Sequence, residues 1–204
     1  MTGATNQEIE VKFYVRSLPA MLARLGELGA GVTQPRVFER NLRFDTPGGD
    51  LRQAKRVLRL RQDAAIRLTY KGPGEVSEGV LTRTEIELTV DNFEQARAFL
   101  EALGYQVSMA YEKYRTTYAL GGTLVTLDEM PYGSFVEIEG PDSEGIAAVA
   151  GRLGLDWGAR INESYVALFD RACAALALGF RDLSFDNFQA VAVRPEHLGV
   201  SLAD

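Results

Sequence analysis

An extended chain alternates its side chains between two faces, and the stretch QEIEVKFYV at residues 7–15 uses that alternation to sort chemistry. Glu8, Glu10 and Lys12 fall on one side; Ile9, Val11 and Phe13 fall on the other. The same sorting recurs down the chain. Arg59 and Arg61 oppose Leu58 and Leu60, and Arg67, Thr69 and Lys71 oppose Ile66, Leu68 and Tyr70. Arg83, Glu85 and Glu87 oppose Ile86, Leu88 and Val90, Lys113 pairs with Arg115, Thr126 with Asp128, and Glu137 and Glu139 oppose Val136 and Ile138. Within most of these strands, carboxylate neighbours carboxylate and guanidinium neighbours guanidinium, an arrangement that costs repulsion. A sheet with one face in water has no reason to accept that cost. A closed or nearly closed antiparallel β-barrel does, if its lumen is charged for a ligand and its apolar outside is covered by amphipathic helices; about eight strands are enough to hold a small ligand. The fold class expected is therefore α+β.

Clustered carboxylates suit a hard divalent cation, Mg²⁺ or Mn²⁺, bound through oxygen. Clustered arginine and lysine suit phosphate oxygens. A ligand that needs both is a metal-chelated polyphosphate. Other chemistries lack their parts. The chain has one cysteine, Cys173, in the apolar run ACAALAL, and one histidine, His197, near its end, so thiolate or imidazole metal sites and Ser-His-Asp catalysis are not expected. A net charge of −6 argues against a general nucleic-acid binder. No run of about 18 uncharged apolar residues is present, which excludes an apolar membrane helix, and the first residues do not resemble a signal peptide. A cytoplasmic protein is expected, and a homodimer is left open.

Helical signals with Ser, Asp or Asn near the start and Gly near the end occur at 17–29, 91–104, 142–154 and 162–179. FDTPGGD (44–50) and KGPGEVSEG (71–79) read as turns or loops. The tripeptide EIE recurs at 8, 85 and 137, each time followed by a helix; the first two copies continue into ERNLR (39–43) and EKYR (112–115), as in pseudo-symmetric halves of one sheet system. Beyond 170 the alternation fails, so residues 1–170 are read as the domain and 171–204 as a helical or irregular appendage on its surface.

The motif Glu8-Ile9-Glu10-Val11-Lys12, followed in order by LRLR, LTYKGP, RTEIEL, EKYR, LDE and FVEIEG, resembles the CYTH superfamily, the triphosphate tunnel metalloenzymes, over residues 7–170. The resemblance implies a tunnel that binds triphosphate with one or two divalent ions. It assigns metal binding to Glu8, Glu10, Asp128, Glu137 and Glu139, and triphosphate contacts to Lys12, Arg59, Arg61, Lys71, Lys113 and Arg115. It counts Lys12, Glu85 and Glu87 as catalytic, the two glutamates orienting the bases or a water; Arg67 and Arg83 match less specifically. The run FDTPGGDLRQAKRVLRLRQ looks most like the class IV adenylyl cyclase branch, which converts ATP to cyclic AMP and pyrophosphate. Inorganic tripolyphosphatases and thiamine or nucleoside triphosphatases share the tunnel, and a non-catalytic polyphosphate-binding module is a further alternative. Thiamine triphosphatases carry tyrosines just before the Asp-Thr-Pro turn, where this chain has Arg43 and Phe44. On this reading Glu137→Gln relieves carboxylate repulsion and leaves folding largely intact.

Overall fold

The computed structural model describes residues 7–204. Strands β1 (Gln7–Val15), β2 (Gly31–Asp45), β3 (Val57–Gln62), β4 (Ile66–Ser77), β5 (Val80–Val90), β6 (Gln106–Leu120), β7 (Thr123–Met130) and β8 (Gly133–Glu139) close into one antiparallel barrel. The ring order is β1-β5-β4-β3-β2-β6-β7-β8. Its seam joins β1 to β8, with Glu10 opposite Glu139 and Lys12 opposite Glu137.

Four longer helices lie where the caps put them: α1 (Leu18–Glu27), α3 (Phe93–Ala102), α4 (Ser143–Leu153) and α5 (Tyr165–Leu176). Ser17, Asn92, Asp142 and Ser164 each accept a first-turn backbone N–H, which satisfies donors the helix cannot. Short helices α2 (Asp50–Gln53), α6 (Phe185–Phe188) and α7 (Pro195–Leu198), with a 3₁₀ turn at Trp157–Ala159, complete the set among the described residues. None of the described helices is long and apolar enough to cross a membrane.

The apolar faces of β1, β7 and β8 pack under α1 and α4 around Val11, Phe13, Val136, Ile138 and Ile146. A second core joins α5 to the barrel through Phe135, Leu168, Phe169 and Leu183. A third, smaller core lies against α3, with Leu42, Leu60, Phe93 and Leu100. This covering is uneven: on β5, Ile86 and Leu88 remain exposed at 46% and 49%.

Two local expectations change. The segment 71–79 is mostly strand, because Gly-Pro displaces the β4–β5 register between Lys71 and Gly74 without ending the pairing; the turn is confined to Glu78 and Gly79. The tail is an integral part of the structure. Leu183 bonds to the backbone of Ala110 and Glu112, Ala203 donates to the Tyr14 carbonyl, and a boundary at residue 170 falls inside the continuous helix α5. At the β7–β8 turn Gly133 has φ 150°, and a Cβ there would stand 2.5 Å from the Tyr14 ring, so only glycine fits.

The EIE repetition acquires a spatial meaning. β1-α1-β2 and β5-α3-β6 are matching units whose like strands pair antiparallel, β1 with β5 and β2 with β6.

Candidate functional site: a tunnel with an acidic and a basic wall

The three EIE strands stand side by side as β8, β1 and β5. Their inward faces form an acidic wall of Glu137, Glu139, Glu8, Glu10, Glu85 and Glu87, broken by Lys12 and Arg83. Facing it, β4, β3, β2 and β6 present Arg67 and Lys71, Arg59 and Arg61, Arg43, and Lys113 and Arg115. The walls enclose a cavity of about 520 Å³, within the range of small-molecule sites. Period-two alternation makes each wall, and ring closure sets acid opposite base.

Ion pairs hold the walls. Lys12 Nζ lies 2.8 Å from Glu10 and 3.1 Å from Glu137. Lys71 Nζ bridges Glu8 at 2.7 Å and Glu85 at 3.0 Å. Arg83 spans Glu8 and Glu10 at 2.7 and 2.9 Å. Glu87 accepts a hydrogen bond from the Thr69 hydroxyl at 2.9 Å and lies 3.4 to 3.7 Å from Arg59, Arg61 and Arg67. Glu85 and Glu87 thus position the basic side chains around them.

Asp128 sits apart from the other acids expected to bind metal. It is fully buried beneath the wall, with its carboxylate taken by Arg115 Nε at 2.6 Å, Lys113 Nζ at 3.1 Å and the Tyr165 hydroxyl at 2.7 Å. The other expected site residues all line the cavity.

Several contributors were missed in the sequence. Glu39 on β2 is buried among bases, 3.6 Å from Lys113 and 3.8 Å from Arg61, and Arg43 lines the cavity two pleats further along the same strand. Both were legible, since ERNLR sorted by parity puts Glu39, Asn41 and Arg43 on one face. Tyr111 follows from the same parity as Lys113 and Arg115. Tyr165 had no such signal. It opens α5, and together with the capping Ser164 and with Val166 it lines the cavity. Its ring lies 5.5 Å from Lys12 Nζ and 5.3 Å from Lys113 Nζ, a cation–π arrangement.

The protonation states follow from this packing. Burial would raise Glu137, but Lys12 and Arg115 hold it well below the usual carboxylate range. Glu39, also buried, is held at about 2 by Lys113, Arg115, Arg61 and Arg59. Glu139 is the opposite case. At the rim, with no basic partner within ion-pair distance among the described residues, it is pushed up to about 7 by partial desolvation and by Glu8, Glu137 and Glu10. A raised carboxyl contributes stability that is complete below its ordinary value of 4.5 and lost as pH rises through about 7. A depressed one contributes stability present above 4.5 and lost as pH falls toward about 2. Thermal denaturation in EDTA across pH is therefore expected to give maximal stability near pH 4.5, declining as pH rises through about 7, with Glu139→Gln flattening that decline; an unchanged decline in that variant contradicts the crowding of carboxylates at the rim.

Of the seven buried side-chain atoms without a hydrogen-bond partner among the described residues, six belong to Glu39, Asn41, Arg59, Arg61 and Thr126 on barrel strands. Folded proteins rarely leave such groups unpaired; Glu39, Arg59, Arg61 and Thr126 line the cavity, where a polar ligand would meet them, and Glu39 and Arg61 stand in addition within ion-pair distance of Lys113 and Asp63. For a metal the donor set is suitable in kind, since Glu8, Glu10, Glu137 and Glu139 offer hard oxygens from two paired strands and Glu139 is already crowded by acids. Among the described residues no group of three such side chains stands in a ready-made metal-holding arrangement, because lysine and arginine occupy the carboxylates.

Comparison with known proteins agrees with this architecture. A protein of Methanocaldococcus jannaschii named "Putative adenylate cyclase" is 27% identical over 134 residues, covering 65% of this chain and 75% of its own length. A Vibrio parahaemolyticus structure with the same description superposes with a TM-score of 0.70 at 24% identity, covering 80% of this chain and 97% of that one. A Hippeastrum protein, described as a "putative adenylyl cyclase" with a dominant triphosphatase activity, has a TM-score of 0.59 at 20% identity and covers 80% of this chain and 95% of its own. With the family model for the CYTH domain matching residues 6–150, this chain belongs to the CYTH family.

Proposed function

We propose that the protein is a divalent-metal-dependent enzyme that binds a triphosphate along its tunnel, acting as a class IV-type adenylyl cyclase on ATP. The observation that carries the reading is the opposition of an acidic and a basic wall inside one closed barrel. Arg59, Arg61, Lys71, Lys113 and Arg115 donate to phosphate oxygens. Lys12, whose pKa is raised by Glu10 and Glu137 against the effect of burial, stays charged and stabilises negative charge on the departing pyrophosphate. Glu85 and Glu87 orient the bases. Glu8, Glu10, Glu137 and Glu139 would hold Mg²⁺ or Mn²⁺, which when bound supplies Lewis-acid polarisation of the phosphoryl oxygens. Asp128 joins them only if Arg115 and Lys113 release it; as placed, it positions those two side chains.

Hydrolysis is the second reading, favoured by the triphosphatase activity described for the Hippeastrum relative. The two separate by product. Purified protein with Mg²⁺ or Mn²⁺ and either ATP or tripolyphosphate is expected to release cyclic AMP and pyrophosphate from ATP; orthophosphate from either substrate marks a hydrolase, and absence of both products with tight binding sinks the enzymatic reading. Arg59→Ala is expected to raise KM by about 10–100-fold, from the loss of about 1.5–3 kcal/mol of charged hydrogen bonding. Steady-state kinetics check this, and an unchanged KM removes Arg59 from the binding wall.

A further inference from the structure

Among the cations of the tunnel, Arg43 is the exception. Lys12, Arg59, Arg61, Arg67, Lys71, Arg83, Lys113 and Arg115 each have a carboxylate within ion-pair distance. Among the described residues the Arg43 guanidinium has no ion pair and donates no hydrogen bond, although the side chain lines the cavity and is half-buried. Its neighbours sharpen the point. In the β2–β3 register Arg43 stands opposite Arg59, so the nearest strand partner repels it. The acids that could compensate it are committed: Asp45 accepts the backbone N–H groups of Thr46, Leu51 and Arg52, and Asp170 faces Arg52 at 3.8 Å. Burial pulls its pKa below the ordinary guanidinium value, more than Tyr111, Asp170 and Asp45 pull it back, and Arg59 adds to the fall.

We propose that Arg43 is the anchor on which the tunnel first holds a phosphate chain, before any metal ion is bound. This rests on the triphosphate reading above. For every other base, a phosphate oxygen has to displace or share a carboxylate, and the released carboxylate then faces a polyanion across a few ångströms. A metal held by Glu8, Glu10 and Glu137 would ease that conflict for Lys12, Lys71, Arg83 and Arg115, whose partners these are. Arg43 has no such conflict, since binding an anion there breaks no existing ion pair and offsets the repulsion between Arg43 and Arg59. Metal-free affinity for phosphate therefore falls on Arg43, and metal-bound affinity spreads to the bases whose carboxylates the metal would take.

The test is isothermal titration calorimetry with tripolyphosphate, in EDTA and again with saturating Mg²⁺, on wild type, Arg43→Gln, Arg43→Lys and Arg59→Gln. Arg43→Gln is expected to weaken metal-free binding by about tenfold or more, the scale of one charged hydrogen-bonding partner, with Arg43→Lys intermediate. With Mg²⁺ its effect shrinks to about threefold or less, while Arg59→Gln remains deficient. The ligand-free melting temperature of Arg43→Gln is expected to hold or rise, since a repelled charge is lost; a fall in it assigns Arg43 a structural role and overturns the proposal. Metal-free binding that is equal in wild type and Arg43→Gln, or that is undetectable in wild type although Mg²⁺ restores it, also overturns the anchor and leaves the triphosphate reading standing. Failure of wild type to bind tripolyphosphate under either condition overturns the reading itself.

Discussion

Replacing Glu137 with glutamine is expected to lower turnover by about 10²–10³-fold, the scale seen when one preorganised charged group is removed from a reacting centre. Glu137 lies on the acidic wall with one oxygen 3.0 Å from Arg115 Nη2 and the other 3.1 Å from Lys12 Nζ. It therefore sets the position of two cations on the substrate path as well as offering an oxygen to a metal. The same change is expected to destabilise the metal-free protein by about 1–3 kcal/mol, because two buried cations each lose part of a charge-assisted bond. This corrects the expectation from sequence that relief of carboxylate repulsion leaves folding intact. The repulsion is real at the Glu139 rim, but at Glu137 the attraction to Lys12 and Arg115 outweighs it and holds the carboxyl well below its ordinary value. The variant should also lose part of the acid-side decline in stability, since the depressed carboxylate responsible for it is gone. Product assays and urea unfolding at neutral and acid pH check both effects; wild-type turnover in this variant would remove Glu137 from the site.

Arg115→Met is expected to have the largest effect on folding, about 3–5 kcal/mol. Arg115 makes a two-pronged contact with Asp128, whose side chain has no exposure, and reaches Glu137 at 3.0 Å. Without it Asp128 keeps only Lys113 and the Tyr165 hydroxyl, and its charge stays buried with half its compensation removed. The strain passes to α5, because Tyr165 links that helix to Asp128 through its hydroxyl and to Tyr132 through its carbonyl. Removing both partners is predicted to behave differently. In Arg115→Met combined with Asp128→Leu the charge pair goes together, Lys113 keeps Glu39 at 3.6 Å and Glu137 keeps Lys12, so part of the stability should return while activity does not. Denaturant unfolding of the single and double variants measures the coupling; a single variant within about 0.5 kcal/mol of wild type shows that Asp128 finds other partners or water.

Much of this was legible from short stretches. The parity of QEIEVKFYV or RTEIELTV states which side chains share a face, and like charges gathered on one face point to an interior that binds ions. Helix starts were equally local, because a single side chain at Ser17, Asn92, Asp142 or Ser164 satisfies the backbone donors. Local pattern misjudged the Gly-Pro segment at 71–79, where pairing with β5 overrides turn propensity, and the tail, whose buried Leu183, Phe188 and Leu198 lack a periodic signature.

By itself, then, the sequence determined the alternation of the charged strands, the positions of the main helices and the charged character of the lumen, since each depends on residues only a few places apart. Tertiary structure alone decided which wall faces which, why Asp128 is sealed beneath Arg115, how Tyr165 comes to line the tunnel beside Lys12 and Lys113, and that Arg43 forms no ion pair among the described residues. Those are facts of ring order and of contacts between residues far apart in the chain, and electrostatic compensation depends on distance in space, which no local spacing encodes.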